Sequence, residues 1–305
     1  MTRLWEAEHI VEAPRALAMI QEQFPNLGAQ NIKLIGVGWD NTAFLVDDTF
    51  VFRFPRRQIA VPLLRHEACM LPKLAESLSI PIPVPKWLGM PTDDYPWPFS
   101  GYELLKGRTA CHVDLSDADR IKLAPSLATF LSTLHSVPIN QAEYCNLPGD
   151  MLGRLNVARI LPIIQQNLQE IVQLRLMDTT MPFQHMLEEA KALRPPHDSK
   201  IVHGDFYIRH LLLDDAHHLA GVIDWGDIHI GDPALDLSII HSFLPPKGQE
   251  LFRATYGEIS AETWLLARLR AIHQSANLAV FSHHTGDKPL VRESMRALLQ
   301  IASFQ

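Results

Sequence analysis

Between Ile201 and Asp236 the chain reads IVHGDFYIRHLLLDDAHHLAGVIDWGDIHIGDPALD. Asp205 follows His203-Gly204, His210 comes five residues later, and Asp224 stands between Ile223 and Trp225. Two apolar runs, Leu211 to Leu213 and Leu219 to Ile223, flank the polar turn Asp214-Asp215-Ala216-His217-His218, the pattern of a short β-hairpin. Asp205 precedes the first strand and Asp224 closes the second, so antiparallel pairing brings both carboxylates to one edge. Such a pair can hold a metal and a reacting hydroxyl side by side.

The elements that would position these acids change character along the chain. Residues 14–24 have helical spacing, with Pro14 at a first helical position. Three strands follow, leading through Gly36-Val37-Gly38, then 43–46, the acidic turn Asp47-Asp48, and 49–54. The glycine turn lies between strands, so it is neither a Walker loop nor a dinucleotide fingerprint, yet its bare backbone suits close approach to phosphates. Residues 58–77 read as a helix whose apolar stripe carries Glu67. An unpaired carboxylate there would cost several kcal/mol, by the order-of-magnitude expense of burying charge. Arg53, on the third strand, is the cation that would pair with it. Prolines between 81 and 98 exclude helix, and 86–89 and 99–105 read as two more strands. Beyond Gly107 the pattern is helical: Ser116 with Asp119 forms an N-terminal capping pair for a helix reaching His135, and residues 150–193 continue in helical register. After the hairpin, helices are expected over 234–243, 248–257, 260–282 and 288–303. The organisation expected is therefore a β-rich region over 1–106 and a larger helical region over 107–305 with a hairpin embedded in it.

With 305 residues the chain can bury a sizeable core. A formal charge of -7 and the absence of a Lys/Arg stripe argue against nucleic acid as a partner and favour a cationic one. Cys69, Cys111 and Cys145 fall in no metal-binding spacing and read as reduced core thiols, and no apolar run is long enough to span a membrane, so a cytoplasmic location is expected. Neither a G-x-S-x-G elbow nor an H-E-x-x-H site is present, and the adjacent pairs His217-His218 and His283-His284 lack the spacing of a helical zinc site.

The order of parts, from glycine turn through basic strand residue and helical acid to H-G-D and I-D-W, is that of protein kinases. In particular His203-Gly204-Asp205, His210, Ile223-Asp224-Trp225 and Gly231-Asp232-Pro233-Ala234-Leu235-Asp236-Leu237 resemble the aminoglycoside phosphotransferase family of kinase-like enzymes. VFRFP around Arg53, Glu67 and the SGYELLKG segment resemble its nucleotide-binding half. The resemblance implies an α+β, protein-kinase-like two-lobed fold, with an N-terminal antiparallel β-sheet lobe over 1–106 and a larger, mainly helical C-terminal lobe over 107–305.

Carried onto this sequence, the resemblance implies a small-molecule O-phosphotransferase using Mg²⁺ and ATP or GTP. Asp205 would be catalytic, taking the proton of the acceptor hydroxyl, and Asp224 would bind the metal. His210 occupies the position where the family usually has Asn as second metal ligand; an H-G-D-x-x-x-x-H pattern resembles the macrolide phosphotransferase branch. Gly36, Gly38, Arg53 and Glu67 would serve the nucleotide phosphates, and the main chain around Glu103 and Leu105 its base. His203 would brace the catalytic loop, with Asp232 and Asp236 bracing it from the next helix. The acceptor would sit against the 140–195 region, with Asp227 and Asp150 as acids able to meet a basic nitrogen, which suits an aminoglycoside or a macrolide. A kinase of an endogenous hydroxylated metabolite and a nucleotide-binding pseudokinase are the alternatives; the intact Asp205 and Asp224 speak against the latter.

Overall fold

A computed structural model describes residues 7–38, 40–193 and 199–303. The chain divides into two compact units, Met1–Lys106 with Trp225–Ile228, and Gly107–Asp224 with His229–Gln305. The fold is α+β, with an N-terminal antiparallel sheet and a mainly helical remainder.

The first unit comprises α1 (Ala13–Gln23), β1 (Ile32–Val37), β2 (Asn41–Val46), β3 (Phe50–Pro55), α2 (Ala60–Ala75), β4 (Trp87–Gly89) and β5 (Phe99–Glu103). Its five strands pair antiparallel in the order β1-β2-β3-β5-β4. Alternation in β2 drives Phe44 and Val46 into a core that includes Phe52, Phe54 and Phe99, with Met19 and Ile20 of α1 packed on it. Phe54 stacks on Phe99 with centroids 4.5 Å apart.

Aromatic packing of this kind needs bare backbone opposite the rings. Gly101 pairs with Phe52 across the β3–β5 ladder, and a Cβ added to it would come within 2.4 Å of the Phe52 ring. Gly101→Ala is therefore expected to destabilise the protein by about 1–3 kcal/mol, the usual cost of overpacking a core. Chemical denaturation checks this; an unchanged midpoint would mean that the ring moves aside freely.

The second unit holds β6 (Arg108–Thr109), α3 (Asp117–Ser136), α4 (Ile139–Tyr144), α5 (Val157–Gln173), α6 (Met181–Ala190), β7 (Lys200–Val202), β8 (Leu211–Leu213), β9 (Leu219–Val222), β10 (His229–Gly231), α7 (Ala234–Phe243), α8 (Pro246–Tyr256), α9 (Ala261–Thr285) and α10 (Lys288–Ser303). The hairpin β8–β9 forms as read from the sequence and gains β6 as a third strand, whereas β7 and β10 make a separate antiparallel pair. Ser116 and Asp119 make the full reciprocal capping box at the start of α3. Residues 150–193 are not continuously helical: Asn156 caps α5, and α6 is a separate helix. The α5, α6, α9 and α10 helices enclose one apolar core around Ile164, Phe183, Ile272 and Leu298. Inside the unit, Arg120 of α3 is almost fully buried, pairs with Glu293 of α10 at 2.6 Å, and lies over the Phe243 ring.

Cys111 is a free, buried thiol, as the sequence reading has it, and burial raises its pKa.

Candidate functional site

In the second unit, β7 hands the chain to the His203-Gly204-Asp205 loop, which a short 3₁₀ turn over Ile208–His210 connects to β8. The loop's backbone is tied down from several directions. Gly204 has φ +81°, a conformation that glycine adopts without Cβ strain. The carboxylate of Asp236, wholly buried in the first turn of α7, receives the His203 N–H at 2.8 Å on one oxygen and the Gly204 N–H at 2.9 Å on the other. His135 Nε2 lies 3.1 Å from the same carboxylate, and the His135 Nδ1 faces the Tyr256 hydroxyl at 2.8 Å. Burial alone would raise the Asp236 pKa; the hydrogen bonds from the His135 side chain and the His203 N–H outweigh it and the pKa is lowered. Arg154 completes the fastening by donating to the Gly204 carbonyl at 3.0 Å.

The His203 ring is fully buried and occupied at both nitrogens. Nδ1 accepts the Asp205 N–H at 3.3 Å, so Nε2 carries the proton and donates to the Ile223 carbonyl at 3.0 Å. Burial holds its pKa below the ordinary value, against the pull of Asp236. A neutral ring with both nitrogens committed spaces the Asp205 loop from the end of the hairpin.

His210 links the two acids. Its Nδ1 lies 2.8 Å from the Asp205 carbonyl oxygen, and its Nε2 lies 3.2 Å from Asp224 Oδ2. Burial would lower its pKa, but Asp224 and then Asp205 outweigh that, and the pKa is raised. Both ring nitrogens thus face oxygen acceptors, the arrangement of an imidazolium, which has no lone pair for a metal. Asp224 is half exposed and takes a left-handed backbone, φ +64°. The Asp205 carboxylate receives the Gln274 side-chain N–H on Oδ1 at 2.9 Å, with the Arg270 guanidinium 3.7 Å from the same oxygen.

Among the described residues no group of three or more His, Cys, Asp or Glu side chains is arranged to hold a metal alone. Mg²⁺ bound with nucleotide takes one or two carboxylates and completes its shell with phosphate oxygens and water, so an exposed aspartate such as Asp224 fits this need.

The first unit carries the remaining residues singled out from sequence. Arg53 of β3 and Glu67 of α2 form a largely buried ion pair at 2.7 Å, as the misplaced acid on the apolar stripe required. Gly226, in the Trp225–Ile228 segment of this unit, lies beside them: a Cβ there would be 3.5 Å from Glu67 Oε1. Gly36 sits at an irregularity in the β1–β2 register, and Gly38 closes the turn by donating to the Asn41 carbonyl. The Glu103 side chain pairs with Lys86 in solvent, and the Leu104 N–H bonds to the Thr49 carbonyl ahead of Leu105. Asp227 is partly buried in the turn after Gly226. Asp150, in the second unit, accepts the N–H groups of Leu152 and Arg154 and so shapes the turn before α5.

Sequence reasoning passed over Gln274 and Arg270. The signal was present: Arg270, His273, Gln274 and Asn277 are spaced i, i+3, i+4, i+7, a polar stripe on one face of an otherwise apolar helix.

Two buried histidines make stability pH-dependent. Burial, and then Arg268, holds His241 at a pKa of about 3; burial, and then Arg270, Arg154 and Arg159, holds His273 at about 3. Both are neutral when folded but take protons near pH 6.5 when unfolded, so their contribution is complete above pH 6.5 and is lost as pH falls toward 3. Each is expected to cost about 2 kcal/mol at pH 5. His210, shifted upward, works in the opposite sense and only above pH 6.5. Thermal melts should show Tm falling steadily from pH 7 to 5, with a shallower slope in His241→Leu; a flat profile would overturn the assignment.

Comparison with known proteins agrees with the fold and extends it. Residues 31–272 match the model of the phosphotransferase enzyme family, APH. The uncharacterized protein YcbJ of Bacillus subtilis is 24% identical over 278 residues, covering 87% of this chain and 86% of that protein. An aminoglycoside 3'-phosphotransferase from Escherichia coli is 28% identical over 156 residues, covering 49% of this chain and 55% of that enzyme. The GDP complex of aminoglycoside 2'-phosphotransferase-IIIa superposes with a TM-score of 0.69 at 23% identity, covering 96% of this chain and 99% of that one. The macrolide 2'-phosphotransferase MphH from Brachybacterium faecium does so with a TM-score of 0.60 at 21% identity, covering 93% and 97%. With the family model spanning most of its length, the chain belongs to the aminoglycoside phosphotransferase family of phosphotransferase enzymes, kinase-type catalysts that act on hydroxyl groups.

Proposed function

We propose that this enzyme transfers the γ-phosphoryl group of a Mg²⁺-nucleotide to a hydroxyl of a small-molecule antibiotic of the aminoglycoside or macrolide type. The observation that carries the proposal is the Asp205 carboxylate held on Oδ1 by Gln274, an arrangement that suits Oδ2 to accept from a hydroxyl. In this reading Asp205 orients that hydroxyl and takes its proton, and Asp224 holds the metal, whose charge offsets that of the phosphates. His210 would join Asp224 as a ligand only after losing its proton; otherwise it holds the two acids in place. Arg53, fixed by Glu67, serves the phosphates with the backbone of Gly36 and Gly38, and the main chain at Glu103 and Leu105 serves the base. Nucleotide binding is supported by relatives solved with GDP and with streptomycin and ATP. Asp227 and Asp150 are the acids assigned to a basic acceptor.

A second reading, a kinase of a hydroxylated metabolite, is favoured by one observation. Arg270 beside Asp205 and Arg154 on the Gly204 carbonyl put positive charge around the catalytic loop, which a polycation would meet with repulsion. Coupled nucleotide consumption with ATP or GTP separates the readings. We expect kanamycin, streptomycin or a macrolide to accelerate turnover above the acceptor-free rate. Should none do so while an amino alcohol or sugar does, the antibiotic reading gives way to the metabolite kinase.

A further inference from the structure

The polar stripe of α9 runs through the second unit directly behind Asp205, and its members are chemically ordered. Gln274 is buried, and because a carboxylate only accepts, its amide must turn Nε2–H toward Asp205 Oδ1, at 2.9 Å. Arg270, also buried, lies 3.7 Å from the same Oδ1, too far for a hydrogen bond but close enough for its charge to act. Arg270 is in turn 3.3 Å from His273 Nδ1. A guanidinium has only donors, so Nδ1 must accept, and the single proton of this neutral ring sits on Nε2. Nε2 lies 3.0 Å from the Asn277 amide; its proton needs an acceptor there, so the Asn277 amide turns its oxygen to the ring and its N–H to the side-chain oxygen of Asn167 on α5. His273, fixed in turn by Asn277 and Asn167, thus holds the Arg270 guanidinium beside Asp205.

We propose that Gln274, backed by Arg270, is a positioning residue for phosphoryl transfer: it commits one oxygen of Asp205 and so fixes the other toward the acceptor hydroxyl. The proposal rests on the reading of Asp205 as the group that takes the acceptor proton. In that step the hydroxyl proton moves to Asp205 Oδ2, the hydroxyl oxygen bonds to the γ-phosphorus, and the bond to the bridging oxygen breaks, its electron pair leaving with the nucleoside diphosphate. A carboxylate that could rotate about its Cβ–Cγ bond would exchange Oδ1 and Oδ2 at the acceptor position; as held, Oδ2 lies 3.8 Å from His210 Nδ1, beyond hydrogen-bond reach, and keeps its capacity to accept from the hydroxyl. The Gln274 hydrogen bond removes that freedom before substrate arrives.

The test is a double-mutant cycle on Mg²⁺-dependent GTP and ATP hydrolysis, run with water alone as acceptor and again with kanamycin added. Gln274→Met keeps the volume and removes the donor; Gln274→Glu, nearly isosteric, removes the same donor and serves if the methionine variant does not fold. We expect Gln274→Met to lower kcat about 10- to 100-fold, the penalty of a misplaced catalytic group, with nucleotide Kd and Tm near the parent values. In the Asp205→Asn background the same change should have no further effect on kcat, because the oxygen it positions is no longer a base. Parent-level kcat in Gln274→Met, or an equal fold-loss in both backgrounds, overturns the positioning role. A raised kanamycin KM at unchanged kcat overturns it too, assigning Gln274 to acceptor binding. If instead Asp205→Asn itself turns over like the parent, the reading of Asp205 fails on its own, independently of Gln274.

Discussion

Asp205→Asn is expected to lower kcat for phosphoryl transfer by about 10²- to 10⁴-fold, the range typical of removing a general base. Asparagine keeps the shape and still offers an oxygen to Gln274, so the loop and its hydrogen bond survive while the proposed proton acceptor is lost. The Mg²⁺-nucleotide Kd should stay within a few-fold of the parent, since Asp224, not Asp205, is assigned to the metal. Steady-state kinetics with nucleotide titration decides the matter: a variant with parental kcat would remove Asp205 from the reaction.

Asp236→Ala is expected to be the most damaging change away from the reacting groups. It strips acceptors from the His203 and Gly204 N–H groups and a partner from His135, all in the interior. Breaking a buried, multiply bonded carboxylate of this kind costs about 3–5 kcal/mol. At roughly 2–4 °C per kcal/mol in a protein of this size class, Tm should fall by about 10 °C. Turnover should fall as well, because the freed backbone is that of the Asp205 loop. Asp236→Asn, which retains one good acceptor, should lie between parent and alanine in both measurements. Equal melting of parent and alanine variant would show that the loop is held by its other fastenings.

The elements legible in the sequence are those whose signals are local and repeated. Ser116 and Asp119 announce the α3 cap three residues apart, and the β-forming runs 43–46 and 49–54 on either side of the Asp47-Asp48 turn announce the sheet. Glu67 is legible for a different reason: a charge on an apolar stripe demands a partner, and Arg53 supplies it at 2.7 Å. The three-residue strands β7 and β10 are too short for alternation to show, and their pairing is set by distant chain. The same holds for the segment Trp225–Ile228, whose place in the first unit nothing in its own sequence foretells. Of the polar groups behind Asp205, Asp236 stands inside a motif and could be named, but Gln274 and Arg270 show only as a periodicity. That periodicity identifies a face of α9 and leaves open which loop it meets.

The left-handed backbone of Asp224 has a meaning for how this protein can change. Holding a non-glycine residue there costs on the order of 1 kcal/mol or more, which glycine would avoid and a β-branched residue would increase. Selection for stability alone would therefore drift toward glycine at this position, and the metal-binding role proposed for its carboxylate would hold it back. Under the proposed role of Asp224, position 224 is a point where folding and activity pull in opposite directions, and variants chosen only for thermal resistance should tend to lose the acid first.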